Sequence, residues 1–297
     1  MSNNPDHIVV IGDTMLDYYL EIPEASPDEK LTAVNSHRAL GGTGANAAAT
    51  IAALGAAVDL VSTISDDHFG DWIMAALADL AVGQSYVTRM KGQPPHATII
   101  TGGTRKLIID RGVADTIVMP PEAWIQAHSL IYVSNPPPVL PLLSAARHTT
   151  LVITVEHQMV ERMEDSLTGV DYILTNEAGF AALASRYAVL PPTIETRGAA
   201  GVILHTGNAR AAIPALSTEV VDETGAGDAF AGAFCQFLAS RRPLRQAIEL
   251  SAIVAALTVG TSQAHLTGID KALVEGLWRD NYELKEGPGD VVEFASI

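Results

Sequence analysis

Short apolar runs alternate with longer segments of helical periodicity along most of the chain. His7 to Gly12, Val58 to Ser62, Leu130 to Ser134, Leu151 to Val155 and Tyr172 to Thr175 read as short buried strands. Gly44 to Leu54 is Ala-rich and helical, and Gly55 ends it. His68 to Leu80, Leu140 to Arg147, Glu177 to Tyr187 and Ala226 to Ser240 read as further helices. Gly201 to Thr206 and Ala209 to Pro214 form a hairpin closed at Gly207–Asn208. From Pro243 the chain is mostly helical, then loosens into a Gly-Pro-Gly tail. Such alternation predicts an α/β sheet with helices on both faces.

Two early segments break the pattern. Leu16 to Ile22 and Leu31 to Arg38 are strand-like, with Pro23 and Pro27 between them. His96 to Thr101 and Lys106 to Asp110 make a second pair around Gly102–Gly103. A small β-flap growing from the main sheet accounts for both. Beside the carboxyl ends of strands, a flap is placed to act as a lid.

Charge narrows the function. The 297 residues carry 18 Lys and Arg against 34 Asp and Glu, a formal net charge of −16. A nucleic-acid binder needs a basic footprint, which this chain lacks. An anionic ligand would have to be held by backbone amides, helix ends or a metal ion. Cys235 is the single cysteine, so no intrachain disulfide forms and a reducing compartment is expected. The nine histidines show no His-x-His or His-x-x-x-His pair, which argues against zinc on spacing. No basic run precedes an apolar stretch at the start. Polar residues interrupt the uncharged stretch from Leu250 to Ile269, which reads as a buried helix and its exit. The expectation is a soluble, cytoplasmic protein without a membrane partner.

Three motifs carry chemistry. Val221-Asp222-Glu223-Thr224-Gly225-Ala226-Gly227-Asp228-Ala229-Phe230 puts small residues directly before an apolar helix. Small residues let several N–H groups converge at a helix start, where the partial charge is positive, so this is an anion nest. Asp228 beside the nest has the chemistry to take a proton from an attacking hydroxyl. The plainer alternative is a glycine turn with Asp228 complementing the helix dipole. Gly41-Gly42-Thr43-Gly44-Ala45-Asn46-Ala47 follows a polar, flap-like stretch instead of the first strand, so it is no dinucleotide fingerprint. It suits backbone approach to a polyol, with Asn46 as donor and acceptor; a solvent-facing Asn46 is the alternative. Gly12-Asp13-Thr14-Met15-Leu16-Asp17 lies just past the first strand, where Asp17 can accept two hydroxyl hydrogen bonds, although such aspartates are often turn residues.

Gly41-Gly42 with Asn46, followed far downstream by Asp222-x-Thr224-Gly225-Ala226-Gly227-Asp228-x-Phe230, resembles the two signatures of the ribokinase/PfkB carbohydrate kinases. The resemblance runs from about His7 to His265. It implies a ribokinase-like three-layer α/β/α fold, with a central mostly parallel sheet and a small β-sheet lid. Residues 1–297 would form one kinase domain, the lid coming from inserts 16–38 and 96–110. It implies Asp228 as catalytic base and Gly225, Ala226 and Gly227 as the anion hole. Asp17, Gly41, Gly42 and Asn46 fall where the family holds the sugar. Thr196, Gly198 and Gly201 border the nucleotide, and Asn176 opens the motif near phosphates and magnesium. Asp222 and the Thr224 carbonyl stand where members often hold a monovalent cation such as K+.

The implied activity is transfer of the γ-phosphoryl group of MgATP to a carbohydrate hydroxyl. Pairing of two subunits through Tyr18, Leu20 and Ile100 of the flap is a further expectation. The sequence departs from the family at Gly179, where Asn176-x-x would be followed by Glu, at Glu223 in place of Thr, and at Met15 in place of a polar residue. The stretch Val259 to Gly268 does not align cleanly with the family's cation loop. A nucleoside kinase of the same fold, and a catalytically impaired sugar-binding regulator, are the alternative readings. Arg105 in the flap is read as an exposed charge that could also reach a phosphate.

Overall fold

Strand alternation decides which residues enter which layer. In β1 (Ile8–Ile11), Ile8 and Val10 point to one face of the sheet and Val9 and Ile11 to the other. All four are fully buried, as expected of a strand covered on both sides. The computed structural model describes residues 7–23, 31–102, 105–134, 149–163, 165–261 and 269–283. The expected helix Leu140–Arg147, the Gly-Pro-Gly tail and most of the stretch Val259–Gly268 lie outside these residues.

After β1 come β2 (Met15–Glu21), β3 (Asn35–Gly41), α1 (Thr43–Ala53), β4 (Val58–Ser65), α2 (His68–Asp79) and β5 (Gly83–Met90). Next are β6 (His96–Thr101), β7 (Lys106–Asp110), a short α3 (Glu122–Ile125), β8 (Leu130–Ser134), β9 (Thr150–Thr154), β10 (Tyr172–Asn176) and α4 (Glu177–Arg186). The chain finishes with β11 (Thr193–Thr196), β12 (Val202–Thr206), β13 (Ala209–Ile213), α5 (Ala226–Ala239), α6 (Leu244–Val259) and α7 (Lys271–Asn281). The main sheet has nine strands in the order β13-β12-β11-β10-β9-β8-β1-β4-β5. Pairing is parallel from β5 through to β11, and β12 and β13 add antiparallel at the edge. The Gly207 hairpin is therefore present as expected.

The flap differs from its expectation. It is a separate sheet of four strands, β3-β2-β6-β7, with no pairing to the main sheet among the described residues. Two antiparallel hairpins are joined by a parallel β2–β6 pair. Pairing of Met15 with Gly41 fixes the register of β3, which starts at Asn35 and not at Leu31. β5 and β11 were not read from the sequence as strands. β5 is a half-polar edge strand. β11 reads Thr-Ile-Glu-Thr, with Glu195 buried in the sheet.

Each fully buried aliphatic side chain in this core stabilises by about 1.5–3 kcal/mol. The face that positions the site is built differently, from α1 against α5. Ala45, Ala47, Ala48 and Ala49 of α1 are buried, and Gly232 of α5 lies where a Cβ would come 2.5 Å from the Ala47 carbonyl oxygen. Small residues on both helices let the backbones approach closely. Among the described residues, no helix is long and apolar enough to cross a membrane.

Gly232→Val should push α5 off α1. Overpacking of this kind costs about 1–3 kcal/mol, to be read as a lower urea midpoint with an unchanged m-value.

Candidate active site

Chain order reverses between β8 and β1, since β4 and β5 lie on one side of β1 and β8 to β11 on the other. A crevice opens outside the carboxyl ends of strands at such a point. Gly12 and Asp13 follow β1 there, and Ser134 ends β8. Asp13 is buried, and its Oδ1 accepts from Thr43 Oγ1 at 2.7 Å and from the Gly44 amide at 3.4 Å. Thr43 Oγ1 also meets Ser134 Oγ. Asp13 Oδ2 faces Arg111 Nη2 at 3.4 Å. The start of α1 is thus tied to both strand ends. Gly42 caps α1 at φ +92°, a conformation that a side chain resists.

The α1–α5 contact brings two predicted residues together across 182 positions of sequence. Asn46 Nδ2 donates to Asp228 Oδ2 at 2.9 Å. Asp228 lies in the first turn of α5, whose N-cap Gly225 sits in the left-handed region at φ +77°. The first-turn amides of a helix have no acceptor within it; here that of Ala226 donates to the Glu223 carbonyl at 3.3 Å. Burial pushes the Asp228 carboxyl up to about 7. The Asn46 hydrogen bond works against that rise, while Asp13, Glu156 and Asp17 add to it.

Asp17 on β2 is buried, and its carboxyl is also raised to about 7, first by burial and then by Asp13, with Arg105 opposing. Gly41 makes its room: a Cβ there would lie 2.2 Å from the Asp17 carboxylate atoms. Asn46 thus meets Asp228, Gly41 packs on the Asp17 carboxylate, and Gly42 opens α1 beside the Asp13 backbone.

A cleft of about 450 Å³ continues from the nest. Ala226 and Gly227 line it together with Thr196, Gly198 and Gly201, and Ala252, Ala255, Ala256 and Phe230 form an apolar wall. The Thr196–Gly201 turn is anchored from beneath by fully buried Glu195, which binds Arg197 Nε at 2.6 Å and His205 Nε2 at 2.7 Å. Asn176 ends β10 beside Thr196 and uses its side chain to cap α4, accepting from the Gly179 amide at 2.9 Å. Gly179 has no room for a side chain: a Cβ would stand 2.1 Å from Thr175 Oγ1. The missing glutamate is thus a packing requirement of this chain. Asp222 Oδ1 accepts from the amide and hydroxyl of Thr224 at 2.9 and 2.6 Å.

Several functional contacts escaped the motifs. Arg105 Nη2 donates to Thr224 Oγ1 at 2.7 Å, so this exposed flap cation bridges the small sheet to the nest. Glu156 lies two residues past the end of β9 and its charge adds to the rise at Asp228, a position that strand-end reasoning could have found. Tyr19 stacks on His37 with centroids 4.5 Å apart, an aromatic pair that only cross-strand register reveals.

The family model described as pfkB family carbohydrate kinase matches residues 5–271. The chain belongs to that family, and is a phosphotransferase acting on an alcohol acceptor. It is 26% identical to a ribokinase of Bacillus subtilis, covering 85% of this chain and 92% of that one. It is 27% identical to a cytidine kinase of Thermococcus kodakarensis, covering 71% and 84%. The structure of Arabidopsis thaliana ribokinase complexed with ribose and ATP superposes with a TM-score of 0.77, at 22% identity, over 91% and 97%. The fold is ribokinase-like.

Two pH effects follow from Asp228 at about 7. Only its carboxylate accepts a proton, so kcat/KM should fall as pH drops through about 7. Asn46→Ala removes the donor that holds this value down, and should move the acid limb to higher pH. For stability the sign is opposite to that of a salt-bridged acid. The folded value lies above the ordinary 3.8, so the stabilising contribution is full below about pH 4 and lost as pH rises through about 7. Asp228→Asn should therefore melt higher than the wild type near pH 8 and equally near pH 4, by calorimetry.

Proposed function

We propose that this protein is an ATP-dependent sugar kinase that works in the cytoplasm, with Asp228 as general base and Gly225-Ala226-Gly227 as the anion hole. The observation that carries the reading is the half-buried Asp228–Asn46 pair at the start of α5. Ala226 and Gly227 of the nest in turn line the cleft of about 450 Å³. In this reading the nucleotide lies in the cleft against Thr196, Gly198 and Gly201, with its base on the apolar wall. Asp17, Gly41, Gly42 and Asn46 hold the sugar. The buried Asn46 Oδ1 has no protein partner among the described residues and can accept from a hydroxyl.

Phosphoryl transfer asks little covalent chemistry of the protein. Asp228 takes the hydroxyl proton, supplying roughly 10²–10⁴-fold. Each well-placed nest amide contributes about 3 kcal/mol to the transition state. Magnesium, when bound, neutralises charge on the phosphates. Because Gly179 cannot carry a ligand, exposed Glu177 in the first turn of α4, beside Asn176, is the carboxylate placed to hold its water shell. A monovalent cation would be held by Asp222 Oδ2 and the Thr224 carbonyl, since Asp222 Oδ1 already takes both Thr224 donors. Arg105 latches the small sheet, as lid, to the nest, which excludes water from the transferring group.

Nucleoside phosphorylation is the second reading, favoured by the Tyr19–His37 stack two residues along β2 from Asp17. A panel of pentoses, hexoses, sugar phosphates and nucleosides separates the two by kcat/KM. With the preferred acceptor, Asp228→Asn should lower kcat by roughly 10²–10⁴-fold while titration calorimetry shows nearly unchanged binding. Turnover within a few-fold of wild type would remove the base assignment. Lid-to-lid pairing is the third element of the proposal, because apolar Leu107, Ile108 and Ile109 are exposed on edge strand β7. Sedimentation velocity should show a dimer at micromolar concentration, and a sharp monomer boundary would refute it.

A further inference from the structure

The opposite edge of the main sheet carries a second cluster of ligating side chains. β1, β4 and β8 are adjacent and parallel, so their first residues lie along one edge, remote from Asp13 and Ser134 at the other. His7 immediately precedes β1, Asp59 is the second residue of β4, and His128 comes two residues before β8. One ligand atom from each of the three lies within 4.8 Å of the others. His7 Nε2 is 3.0 Å from Asp59 Oδ2. The imidazoles of His7 and His128 meet edge to face, with centroids 5.1 Å apart.

We propose that His7, Asp59 and His128 bind a zinc-type divalent transition-metal ion. Two imidazoles and a carboxylate are a donor set that suits zinc, and one from which magnesium, preferring oxygen, is a poor competitor. His128 is prepared as a ligand. Its Nδ1 is 2.8 Å from the Trp124 carbonyl oxygen. A carbonyl can only accept, so Nδ1 carries the hydrogen and Nε2 keeps its lone pair. Metal-bound histidines are oriented by this kind of outer hydrogen bond. The Trp124 ring packs on His128 at 4.4 Å and fixes its plane.

Asp59 is accommodated by Gly83 across the β4–β5 pair, where a Cβ would fall 2.0 Å from Asp59 Oδ1. His7 is about a third exposed, at 31%, which leaves a solvent path and a fourth coordination position for water. Tetrahedral ligands on bonds of about 2.0–2.1 Å stand about 3.3 Å apart, so side-chain torsions need only draw the most distant pair inward. Proton accounting is simple. Any hydrogen that His7 Nε2 shares with Asp59 across their 3.0 Å contact leaves on binding, to Nδ1 or to solvent, and Nε2 then ligates. The ion would pin the three adjacent strands β8, β1 and β4 together at their starts, independently of phosphoryl transfer.

The test uses tag-free, chelator-stripped protein in excess magnesium, titrated with cobalt(II) and then zinc. We expect a single equivalent of cobalt with tetrahedral d–d absorption, its displacement by zinc, and a zinc-dependent rise in Tm. His128→Ala and Asp59→Asn should each weaken binding about ten-fold or more, and the exposed His68→Ala should leave it unchanged. Undiminished tetrahedral binding in the His7→Ala/His128→Ala double variant would overturn the site, as would binding without tetrahedral bands. Should the variants unfold, long-range imidazole ¹H–¹⁵N spectra of the wild type decide. Zinc must shift Nε2 of both His7 and His128, and a titration that moves neither overturns the proposal.

Discussion

Everything at the crevice depends on how closely α5 can lie on α1. A Gly232 without a side chain against the Ala47 carbonyl, and a run of alanines on α1, let two helix backbones pack where larger residues would hold them apart. That approach sets the Asn46–Asp228 hydrogen bond. It also aims the nest of α5 at the carboxyl end of β1. The small residues therefore serve geometry more than burial. They contribute little apolar area, and their value is that they keep a carboxylate and an amide within reach.

The second constraint is electrostatic. A chain of net charge −16 holds a nucleotide against its own long-range field, so short-range donors have to prevail. The protein has such donors available in the backbone dipoles at the start of α5, whose direction is fixed by folding. It also tempers its own acids. Asp17 and Asp228 are both raised to about 7, so the crevice does not carry two full charges at neutral pH. Burial, the larger cause in both, disfavours the charged carboxylate and so raises its affinity for a proton.

The two edges of the parallel sheet divide the labour. Strand ends after β1, β8, β9 and β10 carry Asp13, Ser134, Glu156 and Asn176 toward chemistry. Strand starts before β1 and β8 carry His7 and His128, which meet Asp59. Parallel pairing makes both sets possible, because it aligns like ends of segments far apart in sequence.

Much of this was legible in the chain itself. Brief apolar runs marked β1, β8, β9 and β10, because a strand buried on both faces has no polar side to disguise it. Gly225 to Asp228 marked the nest, because convergent amides need small residues locally. What stayed hidden is what adjacency alone creates. Edge strand β5 is half polar, and β11 conceals Glu195 inside a sheet, so neither follows the apolar rule. Gly179 reads in sequence as a defect in a motif, whereas in the fold Thr175 occupies the space of its side chain. The Arg105–Thr224 latch, the Tyr19–His37 stack and the His7–Asp59–His128 cluster join residues with no common spacing. Local pattern settles which segments must be strands, helices and turns, since those depend on neighbours in sequence. Which distant side chains share a site is decided by strand order and helix approach, since only those set distances through space.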